Sequence, residues 1–193
     1  MKRVCVFCGS RVGRDPLYHE AATAVGRSLV RRGLGLVYGG GGIGLMSVVA
    51  DAVLEGGGSV IGVIPHGLAA REVAHRGVTE MRVVPSMHAR KALMAEMSDA
   101  FVALPGGFGT FEELFESVTW AQLGIHAKPL GLLNVAGYFD HLVKLVDHSV
   151  AEGFVPAVGR DLMVVGDEPE ALLDRLAAYE APDGPAWLVA SEG

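Results

Sequence analysis

The order of apolar runs and glycines constrains this chain most. Short continuous apolar segments recur along it: Arg3 to Phe7, Leu34 to Tyr38, Ser59 to Ile64, Ala100 to Leu104, Pro129 to Leu133 and Leu162 to Val165. Segments of helical period separate most of them, and a run with no polar alternation belongs to a strand buried on both faces. Strand followed by helix, repeated, predicts an α/β Rossmann-like fold, a three-layer arrangement of a parallel sheet with helices on both faces. The helices start and stop where local chemistry requires. Asp15-Pro16 opens the first and Gly33 ends it, Gly56-Gly57-Gly58 stops the second, and Ser86 caps a helix from Met87 to Met97. Residues 66–77 read as a polar loop with a short helix, and Val78 to Val84 as an edge strand.

Ligands of such sheets sit at the carboxyl ends of the strands. Three exits carry glycine: Gly9-Ser10, Gly39 to Gly44, and Gly106 to Gly109. Three on one edge predict one pocket. The third is the most informative. Ala100 to Leu104 runs into Pro105-Gly106-Gly107-Phe108-Gly109-Thr110, and a helix expected from Phe111 to about Leu123 runs out. Such a turn lets backbone approach a ligand and offers free N–H groups at a helix N-terminus, a setting for phosphate. Glu112 and Glu113 follow in what reads as the first helical turn. They serve either to complement the helix dipole or as a catalytic carboxylate, and periodicity does not choose between them. Glu112 and Glu116 fall on one flank of this helix.

Gly39, Gly41 and Gly44 match G-x-G-x-x-G after a strand. A dinucleotide site also needs an acid at the end of the next strand, which here reads Ile64-Pro65-His66. Phosphate contact fits this loop better than NAD. On the helix from Met87, advancing about 100° per residue places Arg90 between Met94 and Met97, inside the apolar stripe. A cation there has either an internal partner or a pocket anion to meet. His88 and Lys91 add positive character.

One domain over residues 1–181 and a loose tail over 182–193 suit a chain of 193 residues, half of them apolar. A net charge of −6 argues against general affinity for nucleic acid or membrane surfaces. Cys5 and Cys8 read as buried reduced thiols. With no leader or apolar span apparent, the expected location is cytoplasmic. The histidines lack metal-ligand spacing, and no serine-hydrolase elbow or Schiff-base lysine stands out.

Pro105-Gly106-Gly107-Phe108-Gly109-Thr110-Phe111-Glu112-Glu113 fits P-G-G-x-G-T-x-x-E, and Met87-His88-Ala89-Arg90-Lys91 fits M-H-x-R-K. Together they resemble the two motifs of the LONELY GUY family of cytokinin-activating phosphoribohydrolases, and the Tyr38 to Met46 stretch resembles its glycine loop. The first motif alone is shared with molybdenum-cofactor carrier proteins and bacterial AMP nucleosidase. The resemblance implies hydrolysis of the N-glycosidic bond of an N6-modified AMP, giving the free base and ribose 5-phosphate, with AMP or an N6-substituted AMP as the nucleotide bound. It implies Arg90 and Glu113 as catalytic residues, and it is what selects Glu113 over Glu112. Gly9, Ser10, Gly41, Met87, Lys91, Gly106, Gly107, Gly109 and Thr110 become the expected substrate and phosphate contacts, with no metal and no other cofactor. The methionine-lined stripe is expected to face the base, and a homodimer is expected. A nucleotide or cofactor carrier without turnover is the alternative reading.

Overall fold

In the computed structural model, residues 1–69 and 73–182 are described. Within them one parallel sheet is built from β1 (Arg3–Phe7), β2 (Gly35–Tyr38), β3 (Val60–Pro65), β4 (Glu80–Val84), β5 (Ala100–Ala103), β6 (Leu130–Leu133) and β7 (Met163–Gly166). Its order is β4-β3-β2-β1-β5-β6-β7. Every pairing is parallel, with Cys5 set between Val37 of β2 and Phe101 of β5. β4 is the expected edge strand. The order reverses at β1, which opens a crevice between the β1 and β5 exits.

Two cores cover the two faces. On one, α1 (Pro16–Arg31), α2 (Gly44–Glu55) and α8 (Pro169–Ala177) bury Leu29, Val49 and Leu172 among β-strand residues such as Leu36. Gly26 lets α1 and α2 approach, since a methyl there would sit 2.7 Å from Ala52 Cβ. On the other face, α4 (Met87–Glu96), α5 (Phe108–Gln122) and α6 (Asp140–Ala151) bury Met94, Leu114 and Val146 with Phe101 and Phe139. The short helices α3 (His66–Ala69) and α7 (Ala157–Arg160) complete the set. The expected caps are present: Asp15 Oδ1 accepts from Leu17 N at 3.0 Å, and Ser86 Oγ from Ala89 N at 3.1 Å. Asp99, a loop residue by sequence, accepts from the backbone N–H groups of Lys2 and Arg3 and so joins the starts of β1 and β5.

Two expectations change. Helix α5 begins at Phe108, three residues earlier than the glycines suggested, with Gly107 as N-cap. Glu112 and Glu113 therefore lie in its second turn, and the first turn holds no acid. The segment after α3 also holds a backbone strap: Ala74 bridges Gly41, Gly42 N donates to Val73 O at 2.7 Å, and His75 N to Gly40 O at 2.9 Å. Glu72 of that segment lies outside the described residues, as does the expected tail beyond Pro182. Among the described residues no helix is long and apolar enough to cross a membrane.

Candidate active site

The three glycine exits meet in one cleft of about 370 Å³. Ser10 enters it from β1, Gly39 and Gly41 from β2, and Gly107, Phe108, Gly109, Thr110 and Glu113 from the turn and first helical residues after β5. Arg90 reaches in from α4. A second cavity of about 550 Å³ adjoins it and shares Ser10, Gly107 and Phe108. Gly9 and Gly106 line that second space. They also hold the two exits together: Gly9 N donates to Pro105 O at 3.1 Å, and a methyl on Gly9 would lie 3.3 Å from Gly106 Cα. Behind the turn, the Tyr138 hydroxyl donates to Gly106 O.

Arg90 is buried, 9% exposed, and its guanidinium is fixed by the sheet. Nε donates to Val63 O at 3.1 Å, within β3, and Nη2 to Gly39 O at 3.2 Å, just after β2. Gly39 is required for this: a methyl there would fall 1.7 Å from Nη2. Nη1 rests 3.7 Å from Met87 Sδ. Across the cleft, Glu113 Oε1 stands 3.6 Å from Arg90 Nη2, close enough to pair and too far for a direct hydrogen bond. Glu113 is itself 9% exposed. Burial pushes its carboxyl up to about 7, with Arg90 pulling the other way. A carboxyl that exchanges its proton near neutrality suits acid–base work.

The rim beside this pair favours an anion. Gly107 to Thr110 form the first turn of α5, whose N–H groups lack helical acceptors. Methyls added to Gly107 or Gly109 would meet no atom within 4 Å, so a ligand can come up against bare backbone. Thr110 Oγ1 is buried and has no hydrogen-bond partner, an orphan that a ligand oxygen would satisfy. The other wall is apolar, made by Ile43, Met46, Ile64 and Leu68. Among the described residues no group of three or more His, Cys, Asp and Glu could hold a metal.

Of the residues expected from sequence, Ser10, Gly41, Arg90, Gly107, Gly109, Thr110 and Glu113 converge on the cleft, and Gly9 and Gly106 line the adjoining cavity. Two line neither. Met87 touches only through Arg90. Lys91 turns away: Nζ donates to Glu116 Oε1 at 3.0 Å and to Glu112 Oε1. It lies on the far flank of α4 from the guanidinium, and two acids one turn apart on α5 capture it. The methionine stripe of α4 does not line the cleft either, because Met94 is in the core. The methionine that lines it is Met46 of α2. Sequence reading missed the apolar wall, whose members are ordinary apolar residues brought together from α2 and its N-cap, β3 and α3. Cys8, at the cleft floor, and Cys5 below it are free and buried, and burial pushes both thiols up.

A family model described as "Possible lysine decarboxylase" matches residues 46–176. A probable cytokinin riboside 5'-monophosphate phosphoribohydrolase of Oryza sativa subsp. japonica is 56% identical over 178 residues, 92% of this chain and 78% of that protein. A cytokinin riboside 5'-monophosphate phosphoribohydrolase of Arabidopsis thaliana is 51% identical over 179 residues, 93% of this chain and 82% of that one. Among solved structures, the molybdenum cofactor carrier protein of Chlamydomonas reinhardtii superposes with a TM-score of 0.71 at 22% identity, covering 92% of this chain and 99% of that one. That likeness is one of fold. The chain belongs to the LONELY GUY family of cytokinin riboside 5'-monophosphate phosphoribohydrolases.

Proposed function

We propose that this member of the family is an N-glycosidase that hydrolyses N6-modified AMP to a free adenine-type base and ribose 5-phosphate, with Arg90 and Glu113 as its catalytic residues. The observation that carries the residue assignment is the buried pair itself. A guanidinium held by two backbone carbonyls of the sheet and its loop faces a carboxyl poised near neutrality, beside an open helix N-terminus.

Cleaving a ribosyl C–N bond develops positive charge on the sugar, as glycoside hydrolysis does. The ionised form of Glu113 stabilises that charge and accepts a proton from water as the water oxygen bonds to the anomeric carbon. The base departs with the electron pair of the broken C–N bond and takes up a proton. Arg90 holds the ribose phosphate against the carboxylate, and its rigidity keeps the reacting groups in place. Backbone N–H groups of Gly107 and Gly109, with the Thr110 hydroxyl, receive the phosphate; Ser10 and Gly41 border it. No metal or other cofactor is needed in this scheme. The wall of Ile43, Met46, Ile64 and Leu68 receives the base and its apolar substituent.

The decarboxylase description of the family model finds little support in the cleft. Lys91 is bound to two acids and Lys128 Nζ donates to Ala95 O at 2.6 Å, so neither amine is presented to a ligand. The carrier alternative leaves the Glu113–Arg90 pair without a task. The reading includes one nucleotide-binding domain over residues 1–181 and a cytoplasmic homodimer. Two free buried thiols fit a reducing compartment. Exposed Phe115, Leu123 and Ile125, along and just after α5, fit an interface that light scattering would detect.

The deciding experiment incubates purified protein with AMP and with isopentenyladenosine 5'-monophosphate and looks for free base by chromatography. Release of base from the modified nucleotide is expected, and loss of about a thousandfold in kcat on Glu113→Gln. No base from either nucleotide would overturn the enzyme reading. Full activity of the variant would remove Glu113 from the chemistry.

A further inference from the structure

Lys91 follows Arg90 in the chain, is as buried as Arg90, and yet serves no part of the cleft. Its ammonium is enclosed between Glu112 and Glu116. These acids flank Glu113 on the same two turns of α5, so three carboxylates of one helix face two cations of another. Arg90 meets the middle acid and Lys91 the outer two. Burying an ammonium is costly unless it is paired, so the enclosure needs a return. Burial works against the Lys91 charge, but its hydrogen bonds to Glu112 and Glu116, with the charges of those acids, outweigh it and its pKa lies above the ordinary lysine value.

We propose that Lys91 is a positioning residue: by gripping Glu112 and Glu116 it locks the α5 turn that carries Glu113 onto α4, and it shields the Glu113 carboxylate from two neighbouring negative charges. The inference rests on the role given to Glu113 above. The charged groups around Glu113 divide into two sets of opposite effect. From α4 come Arg90 and Lys91, which favour its ionised form; from α5 come Glu112 and Glu116, which oppose it. From β1 comes Cys5 and from the turn just after it Cys8, both kept neutral by burial. His126 lies beyond Ser117, with its pKa lowered by burial and by Lys128, and carries no opposing charge at neutral pH. Without Lys91, two unmasked acids bear on Glu113, and its proton leaves only at higher pH.

The test follows kcat and KM for isopentenyladenosine 5'-monophosphate against pH. It also follows the Glu113 carboxyl directly, by NMR titration of carbon-13 glutamate-labelled protein, the signal being assigned with Glu113→Gln. Lys91→Met should move the acid limb of kcat and the Glu113 titration upward by about one pH unit, leaving KM within about twofold. Glu112→Gln, at a half-exposed position that leaves the fold intact, should move both downward. Lys91→Met combined with Glu112→Gln should return them toward the parent, and Lys91→Arg should leave them in place. A raised KM for Lys91→Met with an unmoved limb would make Lys91 a phosphate contact and overturn the inference. So would a Glu113 titration that stays put in both Lys91→Met and Glu112→Gln. If Lys91→Met does not fold, the downward shift in Glu112→Gln decides alone. If no nucleotide is hydrolysed but the titration moves as described, the Lys91 inference stands and the enzyme reading fails.

Discussion

The glycine loop after β2 and the glycine turn after β5 look alike in sequence and do opposite things. In the first, the protein itself fills the space each glycine leaves. The Arg90 guanidinium occupies the place of a methyl on Gly39, the Met46 side chain that on Gly41, and the Ser10 backbone that on Gly44. In the second, Gly107 and Gly109 leave their space open to the cleft. One loop is glycine-rich so that the site can be built against it, the other so that a ligand can enter. A G-x-G-x-x-G pattern thus arises here with each glycine accounted for by intramolecular contacts, which is why the match to a dinucleotide fingerprint carries little weight in this chain.

Four substitutions would break or sharpen that contrast, in falling order of effect. Gly44→Ala should be the most damaging. Gly44 has φ +64° and a methyl there would lie 2.2 Å from the Ser10 carbonyl carbon, against the rigid backbone of the Ser10–Arg11 peptide. Roughly 4 kcal/mol of stability should be lost in denaturant unfolding. Gly39→Ala meets the end of a flexible side chain instead, so the fold should survive. Arg90 would be displaced, and kcat/KM should fall by about a hundredfold with little change in Tm.

Glu113 sits between the two loops, and its raised carboxyl makes the site a cost to folding at high pH. Its folded value of about 7 exceeds the ordinary 4.5. Below pH 4.5 both states are protonated and the fold is unburdened; between about 4.5 and 7 the unfolded carboxyl ionises while the folded one keeps its proton, so the cost builds across that window and is complete above it. Glu113→Gln should therefore stabilise the protein at pH 8 by up to about 3 kcal/mol, and by almost nothing at pH 4.5, in paired thermal melts. Gly109→Ala should be mildest. The methyl enters open space in a helix, so Tm should rise slightly, by about 1 kcal/mol of stability or less. It also stands where phosphate approaches, so KM should rise about tenfold. A substitution that helps the fold and harms binding is what an open glycine predicts. If Gly109→Ala left KM alone, the distinction between the loops would fail.

The sequence made the frame legible because fully buried parallel strands leave an unambiguous mark, and parallel order places every strand exit on one edge. It also exposed Arg90, whose position inside an apolar stripe is physically awkward unless something meets it. Other features left weaker traces. The α5 start was hidden because glycines that serve as the first helical turn look like a loop. The capture of Lys91 depends on how α4 and α5 face each other, although the shared flank of Glu112 and Glu116 was its visible half. The apolar wall and the strap at 73–77 rest on long-range placement, which no local period encodes.

The position of β1 in the middle of the sheet has a consequence for how the protein comes to life. β1 pairs with β2, one helix away in sequence, and with β5, whose Phe101 lies beside Cys5. Closing that second pairing means folding back nearly a hundred residues, and non-local closures of this kind are slow. The crevice, the Gly9–Pro105 contact and the facing of Arg90 on Glu113 exist only once it has formed. Return of activity during refolding therefore requires this long-range pairing and cannot precede it. A ribosome-bound chain that has not yet emerged past β5 carries half a sheet and no catalyst.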